Sequence, residues 1–474
     1  MGGVKFWDMS VWFFIIELGV LFGAMLLANL LRRTIGPLRK SLIPSSVIGG
    51  FLLLVANFLY QKLTGYAIFE KLTMELFTYH CLGLGFIALS LKSTDRKNSS
   101  SSGTDIFNTG VTVVATYLVQ ALLGLALSFG LSYVIGNWNN AGLLLPMGFG
   151  QGPGQAYNWG NVYETATAYP AFENGTSFGL TIAAMGFVAA SIGGVIYLQI
   201  MKKKGRVNTE LFADQTDSVS AIEVCEKGEI PLTESLDKLT VQCGLVFLTY
   251  MLTFGLMYII SMGCDALGGF FVGTVKPLVW GFNFLFGSLM AMVVKSVIRF
   301  LRMKGVMKRE YRNPFMLSRI SGTMFDLMVV ASIAAINLSA FKHKEFLIPL
   351  IILTLAGGLA TFFYIRYVSI KIYPAYRDQA FLSLYGMLTG TASTGVILLR
   401  EIDPNFETPA SDNLIYQQLW AILFGFPMLL LLGLSPKSLG STILTLVLLV
   451  VLFAVMNIIL FRKSIFKKRG KTEK

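Results

Sequence analysis

Two stretches of this sequence combine glycines, which interrupt helices, with uncharged polar groups that can bind small ligands. The first reads "GFGQGPGQAYNWG" at residues 148–160, and the second reads "YGMLTGTASTGVILLR" at residues 385–400. Glycine permits close backbone approach and left-handed φ angles, and Pro153, which has no N–H, suits the start of a new helical piece. Free carbonyls and hydroxyls could coordinate a small cation, while free N–H groups could hold an anion.

The candidate substrate- and ion-binding residues are the polar and glycine residues of these stretches. They are Gln151, Gly152, Pro153, Gly154, Gln155, Asn158, Thr389, Gly390, Thr391, Ser393 and Thr394. Asp326 and Arg400 are secondary candidates: a carboxylate could ligate a cation, and a guanidinium could pair with a carboxylate. Placement near the membrane interface is the alternative for both.

The composition indicates an integral membrane protein. Of the 474 residues, 54% are apolar and 14% are charged, whereas soluble domains carry roughly 25% charged residues. Apolar runs of about 20 residues, the length that crosses a bilayer, recur along the chain. The predicted spans are 11–31, 43–60, 73–91, 106–135, 176–201, 240–262, 275–294, 321–340, 346–370, 413–433 and 440–461.

Segments 141–163 and 379–400 are too rich in glycine and in threonine to be ordinary spans. No charged residue occurs between Ile106 and Tyr163, so the first segment is expected at membrane depth. Non-helical backbone at that depth is tolerated only where it is buried in protein or lines a water-filled cavity. We therefore expect two re-entrant hairpins.

The distribution of basic residues predicts an outer N-terminus and an inner C-terminus, because inward loops carry an excess of Lys and Arg. With that topology nearly all of the 39 basic residues lie inside. The exceptions are Lys5, Lys62, Lys71, Lys276, Lys342, Lys344 and Lys437. The net charge of +13 therefore fits an anionic membrane surface rather than nucleic acid.

The order of the segments predicts two inverted repeats. Each half has five spans with a hairpin between the fourth and fifth, and an odd number of crossings turns the second copy upside down. Interrupted segments at matching places in two halves point to the binding site of a secondary transporter. The predicted units are an N-terminal repeat at 1–201, a cytoplasmic loop at 202–239, a C-terminal repeat at 240–433, and an extra helix with a basic tail at 434–474.

Two hairpin tips that meet at the midplane would suit a carboxylate or a zwitterion. A charged side chain at the bilayer centre costs roughly 2.5–3.5 kcal/mol. A helix N-terminus instead offers about half an elementary charge without that cost. The alternative for either run taken alone is a face of small residues that allows close helix packing.

The pattern resembles the bacterial glutamate:sodium symporter family (ESS). The resemblance rests on "GFGQGPGQAYNWG" followed by "FENGTSFGLTIAAMGFVAASIGG", and more loosely on Gly386–Gly395, and it covers roughly residues 10–433. Gln151 stands where better-known members have a histidine, and Pro153 replaces a threonine. The resemblance implies Na⁺-coupled uptake of L-glutamate without a cofactor, Na⁺ at the hairpin tips, and an elevator-type homodimer in the bacterial cytoplasmic membrane.

Three other functions remain open at this stage. The same fold could carry another di- or hydroxycarboxylate with Na⁺ or H⁺, and a channel is a more distant alternative. An enzyme would need a nucleophile and a base within reach of each other. The two histidines, His80 and His343, are far in sequence from both glycine-rich stretches, and the four cysteines have no metal-ligand spacing. We therefore expect no catalytic residues.

Overall fold

A computed structural model describes residues 5–92, 101–165, 171–204, 237–269, 271–307, 309–404 and 406–469. Within these ranges the chain is helical, and eleven helices are long and apolar enough to cross a membrane. The prediction of an all-α polytopic membrane protein is confirmed. Most of the predicted loop at 202–239 and the end of the predicted basic tail lie outside the described residues.

The helices fall into two series along the chain. The first series is α1 (Met9–Thr34), α2 (Gly36–Lys40), α3 (Ser45–Thr64), α4 (Lys71–Leu91), α5 (Gly103–Ile135), α6 (Pro153–Glu164) and α7 (Gly175–Lys203). The second is α8 (Lys238–Leu267), α9 (Lys276–Gly281), α10 (Asn283–Met303), α11 (Pro314–Ala334), α12 (Lys344–Ile372), α13 (Arg377–Thr389), α14 (Ala392–Arg400), α15 (Ala410–Tyr416), α16 (Gln418–Leu434) and α17 (Leu439–Arg469).

Local sequence signals set several of these helix ends. The Ser102 hydroxyl accepts a hydrogen bond from the backbone N–H of Asp105 at the start of α5, and Gly136 ends that helix with a φ of +73°. The Asn313 side chain caps α11 in the same way by accepting from the N–H of Met316. These are the residue types that satisfy free backbone groups at helix ends.

Two predicted spans have shifted boundaries. The span expected at 275–294 is interrupted at Phe282, so that the long helix α10 begins only at Asn283 and continues to Met303. The span expected at 321–340 starts earlier, at the Asn313 cap, and ends at Ala334. It ends there because the Asn337 side chain accepts from the N–H of Ser339 and starts a separate short turn. Neither helix end can be predicted from apolar composition alone.

The long helices form two bundles. Helices α1, α3, α4, α8, α10 and α11 pack on one another, with the short helix α9 on α8, and we call these seven helices the scaffold bundle. Helices α5, α7, α12, α16 and α17 pack together around the two glycine-rich segments, and we call them the site bundle. The bundles meet mainly where α6 contacts α4, α9 and α11.

Helix packing follows a matched pattern in the two halves of the chain. In the scaffold bundle α1 packs on α3 as α8 packs on α10, and α3 packs on α11 as α10 packs on α4. In the site bundle α7 packs on α12 as α16 packs on α5. The pairs α4–α11 and α5–α12 join equivalent helices. These contacts between long helices thus occur in pairs that correspond when the two halves are exchanged.

The last long helix, α17, belongs to the site bundle. It lies along α5, where the Arg462 guanidinium donates to the Asn108 side-chain oxygen at 3.1 Å. It also contacts α12, since the Tyr364 hydroxyl donates to the Asn457 oxygen at 3.1 Å. The start of α17 also contacts the start of the first glycine-rich segment. The hydroxyl of Ser435, just before α17, donates to the Asn140 side-chain oxygen, and the Asn140 amide donates to the Thr442 hydroxyl at 3.5 Å.

Candidate functional site

The first glycine-rich segment is broken at Gln151 and Gly152. Short helical turns at Ala141–Leu143 and Pro146–Gly150 lead to the break, and α6 leads away from it. Gly152 has a φ of +85° and a ψ of −178°, a region that is essentially restricted to glycine. We call residues 141–164 the first broken segment.

The two ends of the first broken segment lie close together. The ring of Trp138, just before it, lies 4.8 Å from the ring of Tyr163 at its end. The same tryptophan stacks on Phe172, which precedes α7, again at 4.8 Å. The residues on either side of the segment are therefore close together, while the break at Gly152 lies between them in the chain.

The second glycine-rich segment is broken at Gly390 and Thr391, between α13 and α14. These two helices lie against each other, because a Cβ added at Gly386 would come within 2.8 Å of the Gly395 Cα. Residues that flank the pair also meet, since the Asn413 amide of α15 donates to the hydroxyl of Tyr376, just before α13, at 2.9 Å. We call residues 377–400 the second broken segment.

Helix α7 shows the relative direction of the two broken segments. Near its start, a Cβ at Gly179 would lie 2.5 Å from the Ala156 carbonyl oxygen of the first segment. Further along, a Cβ at Gly186 would fall on the Thr389 carbonyl oxygen, and Gly193 faces the Tyr385 ring. The segments thus approach along α7 from opposite ends and meet close to Gly186.

The two breaks touch. A Cβ placed on Gly152 would lie 3.5 Å from Thr391 Cγ2 and 3.6 Å from the Gly390 carbonyl oxygen, which is ordinary van der Waals contact. Gly186 is 11 residues into α7, which at 1.5 Å per residue is about 16 Å along a helix about 43 Å long. The contact therefore lies well inside the bundle.

Both helices that begin at the breaks have uncapped N-termini. No side chain caps α6 or α14. Among the described residues, the backbone N–H groups of Gly154 and Gln155 on α6 and of Ala392, Ser393 and Thr394 on α14 donate to no acceptor. Free N–H groups and the helix dipole make such ends favourable for an anion.

Gln155 places an unsatisfied amide in the first turn of α6. The side chain is 1% exposed, and neither its nitrogen nor its oxygen has a hydrogen-bond partner in the described part of the chain. An unpaired buried polar group costs about 1–3 kcal/mol. The amide is therefore available to a ligand that offers both an acceptor and a donor.

Asn158 lies one turn further along α6 and connects the broken segment to the scaffold bundle. Its amide nitrogen donates to the Gly281 carbonyl at 2.6 Å, and its oxygen is buried without a partner in the described chain. Gly154, in the turn before it, packs on Leu82 of α4. Trp159 contacts the Phe282 ring at 6.0 Å. This face of α6 is held closely against the scaffold bundle.

The hydroxyl residues of the second break have mixed environments. Thr389 and Thr394 are fully buried, and the Thr389 hydroxyl donates to the Tyr385 carbonyl. The hydroxyls of Thr391 and Thr394 lie 3.4 Å apart. Ser393 is exposed, whereas Gln151 at the other break is half-buried. All eleven principal candidates thus lie in the two breaks, at the end of α13, or in the first two turns of α6 and α14.

The secondary candidates lie elsewhere. Asp326 is on α11 in the scaffold bundle, beside the Ser46 hydroxyl. Arg400 is the last residue of α14, about 12 Å from its first residue, and its guanidinium lies over the Phe406 ring at 5.3 Å. A cavity of about 430 Å³ occurs at that far end of α14, lined by Val396, Arg400, Phe406, Glu407, Ser411, Asp412 and Ile415. It is separate from the tip contact.

One residue of the tip region was missed by the sequence analysis. Gln120 of α5 is fully buried, and its amide nitrogen donates to the Thr361 hydroxyl at 2.9 Å and to the Leu388 carbonyl at 2.8 Å. Its side-chain oxygen lies 3.0 Å from a Cβ placed on Gly150. A single glutamine inside a predicted apolar span was the only available signal.

Charged metal ligands are not gathered at the tips. The described residues include no group of three or more His, Cys, Asp or Glu side chains that could hold a metal ion. A cation there would have to be held by neutral oxygens, as alkali ions often are in interrupted membrane helices.

One titratable group lies where the second broken segment ends. Burial raises the pKa of the Glu401 carboxyl above its ordinary value, and the charges of Lys202 and Arg32 oppose that shift. Lys202 belongs to α7 in the site bundle and Arg32 to α1 in the scaffold bundle. Glu401 therefore lies in the field of both bundles.

No family model, no curated protein and no solved structure matches this chain.

Proposed function

We propose that this protein is a secondary active transporter that takes up a small organic anion, with L-glutamate or a related acidic amino acid as the leading substrate and Na⁺ as the coupling ion. The observation that carries the proposal is the contact between the breaks at Gly152 and Gly390, from which two uncapped helices start. A purely structural contact between two helix pairs would not require uncapped ends.

The matched helix contacts support an inverted repeat. Equivalent packing of α1–α3 with α8–α10, and of α7–α12 with α16–α5, is the pattern that two related five-helix units would produce. Because each unit has an odd number of crossings, the units would be antiparallel in the membrane. This is the architecture in which transporters place substrate and ion sites near the midplane.

The course of the broken segments along α7 supports re-entrant hairpins. Helix α7 is itself long and apolar enough to span a bilayer. The first segment would enter from the outer side and the second from the cytoplasmic side, if the N-terminus is outside as the basic residues favour. Their breaks would then meet at membrane depth, where polar backbone requires a protein-lined site.

The chemistry at the breaks favours a carboxylate. Five free N–H groups and two helix N-termini attract negative charge without placing a cationic side chain in the membrane. The unpaired Gln155 amide adds one donor and one acceptor. An α-amino acid has a carboxylate and an ammonium group that complement both, which favours an amino acid over a plain dicarboxylate.

The membrane potential could drive such uptake. One positive charge that crosses 100 mV releases about 2.3 kcal/mol. This corresponds to roughly fifty-fold accumulation at 1.4 kcal/mol per tenfold. Binding of Na⁺ together with the anion would connect the substrate to this gradient, as the resemblance to glutamate:sodium symporters implies.

Movement of the site bundle against the scaffold bundle would provide alternating access. The two bundles contact each other over a limited area, chiefly through α6. The exposed apolar faces of α1 and α8, with Phe247, Met251 and Ile259 more than half exposed, would face lipid or a second copy in a homodimer. The location would be the bacterial cytoplasmic membrane, with the C-terminus inside.

Uptake of labelled L-glutamate into proteoliposomes tests the proposal. An inward Na⁺ gradient should stimulate accumulation, whereas an equal K⁺ gradient should not. Gln155→Leu should abolish accumulation, and Asn161→Ala, an exposed position on the same helix, should leave it unchanged. Accumulation of a hydroxycarboxylate instead of glutamate would show that the transporter has a different substrate. The absence of any gradient-driven uptake would refute the transporter function.

A further inference from the structure

We propose that the side-chain oxygen of Gln120 is a ligand of the bound cation, at a site between α5 and the end of residues 141–150, which we call the first arm of the first broken segment. The proposal rests on the proposed function, because it assigns the coupling ion of that transporter to particular atoms. The Gln120 side chain lies beside Gly150 of the first broken segment and donates to the Leu388 carbonyl of the second.

Hydrogen bonding fixes the orientation of the Gln120 amide. The Leu388 carbonyl can only accept, so the amide atom that faces it at 2.8 Å must be the nitrogen. The same nitrogen donates to the Thr361 hydroxyl. The oxygen therefore points the other way, towards Gly150, and an exchange of the two amide atoms would break the bond to Leu388.

The Gln120 oxygen is buried without a donor. The residue is 0% exposed, and no hydrogen-bond donor reaches this oxygen in the described part of the chain. Buried acceptors are normally paired. An oxygen left unpaired beside a ligand-binding break is a candidate for a cation, which is the partner that needs an acceptor alone.

Backbone oxygens lie next to the same place. The first arm of the broken segment ends at Gly150. Within the described chain, no donor reaches the backbone carbonyls of Gly148, Phe149 or Gly150. Pro153 contributes to this, because it has no N–H to donate to the Phe149 carbonyl four residues earlier. Carbonyls at the C-terminal ends of interrupted helices coordinate Na⁺ in other transporter architectures.

The residues present therefore fit a hard monovalent cation. Neutral amide and carbonyl oxygens suit such ions, and the negative end of the first arm's dipole adds to the attraction. The anion would lie at the N-terminal side of the same break, on the N–H groups of α6. Cation and anion would then stabilise each other across Gly152, which would couple their binding.

Thermal unfolding of the full-length purified protein tests the assignment with Na⁺ alone, without substrate. NaCl should raise the unfolding temperature of the wild type relative to KCl at equal ionic strength. Gln120→Met removes the oxygen and should raise the half-saturating Na⁺ concentration by about tenfold or more. Even the loss of a residue that only supports a metal ligand lowers metal affinity by about tenfold. Gln120→Glu, which adds charge at the same place, should lower it.

Thr361→Val is the matched control, because it removes a partner of the Gln120 nitrogen and leaves the oxygen in place. It should lower the unfolding temperature without changing the Na⁺ dependence. If Gln120→Met is as Na⁺-dependent as the wild type, or if Na⁺ and K⁺ act alike on the wild type, the assignment is refuted. If Gln120→Met does not fold, an unchanged Na⁺ dependence in Gln120→Glu refutes it equally. Failure of glutamate uptake would not alter any of these results, so the two proposals fail separately.

Discussion

The two broken segments have the same course but different surroundings. The start of α6 is buried, and residues 152–160 lie against α4, α7 and the α9–α10 break. The start of α14 lies against α7 on one side, while Ala392 and Ser393 are exposed on the other. The first break is therefore enclosed by protein, whereas the second break is partly exposed.

The composition of the two breaks matches that difference. The buried break uses glycine, proline and amides, which allow Gly154 to pack closely on Leu82 while a few polar atoms remain available. The exposed break uses hydroxyl residues, which water can solvate when no ligand is bound. Predictions that separate the two segments therefore test the site itself.

The largest expected contrast is in solvent access. In a variant without native cysteines, Ser393→Cys should react readily with a membrane-impermeant maleimide, whereas Gln155→Cys, at a position that is 1% exposed, should remain unmodified. In membrane vesicles the reaction should occur from the cytoplasmic face. Equal labelling at both positions would contradict the asymmetry.

A large effect is expected at Gly186 on α7. A Cβ there would fall on the Thr389 carbonyl, and backbone cannot move aside as a flexible side chain can. Overpacking of this kind costs about 1–3 kcal/mol, so Gly186→Ala should lower the unfolding temperature and abolish substrate-induced stabilisation. Gly255→Ala on α8 is the control, since nothing lies within 4 Å of a Cβ at that position. An equally active Gly186→Ala protein would argue against the contact.

Gly152→Ala should have a similar but more local effect. The space around Gly152 is sufficient, so the cost of about 1–3 kcal/mol arises from its backbone conformation. Gly136→Ala, which also has a positive φ but ends α5 away from the breaks, should lower stability without changing glutamate affinity. Measurement of glutamate-dependent thermal stabilisation separates the two variants, and similar affinity in both would contradict a role for the tip.

A smaller effect is expected for Asn158→Ala. The variant loses the hydrogen bond from α6 to the Gly281 carbonyl, which is worth about 1 kcal/mol. Separation of α6 from the scaffold bundle should become about five-fold more frequent, at 1.4 kcal/mol per tenfold. The rate of maleimide reaction at Gln155→Cys, with and without Asn158→Ala, measures this. An unchanged rate would show that other contacts hold the interface.

The smallest effect concerns pH. Because burial raises the pKa of Glu401, the folded protein holds this proton more tightly than the unfolded chain does. The associated stability should be present below the ordinary carboxyl pKa and should be lost as the pH rises through the raised value. The unfolding temperature of Glu401→Gln should lack this component, whereas that of Glu407→Gln, an exposed neighbour, should follow the wild type. The same dependence of the unfolding temperature on pH in all three proteins would contradict this assignment to Glu401.

Several features followed directly from the residues. Gly152 and Pro153 could not continue a helix, and the chain breaks there; Gly390 and Thr391 mark the other break. The all-α membrane class followed from composition and from the length of the apolar runs. The break at Phe282 was not foreseen, because one glycine (Gly281) and one asparagine (Asn283) inside a long apolar run do not by themselves interrupt a membrane helix.

Gln120 shows where sequence reasoning stops. Nothing near it in the chain separates a ligand from a glutamine that pairs with a neighbouring helix. Its role depends on Thr361 and Leu388, which are distant in sequence and which approach it only through the packing of α5 on α12 and α13.

Composition, the length of the apolar runs and the glycine and proline positions were enough to predict a helical membrane protein with breaks at Gly152 and Gly390, because local backbone chemistry and side-chain transfer from water to hydrocarbon set these features. The contact between the two breaks, the burial of one and exposure of the other, and the position of Gln120 beside both arise only in the folded chain. Such contacts depend on long-range packing of helices, which is set by the shapes of many side chains together and leaves no mark at any single position.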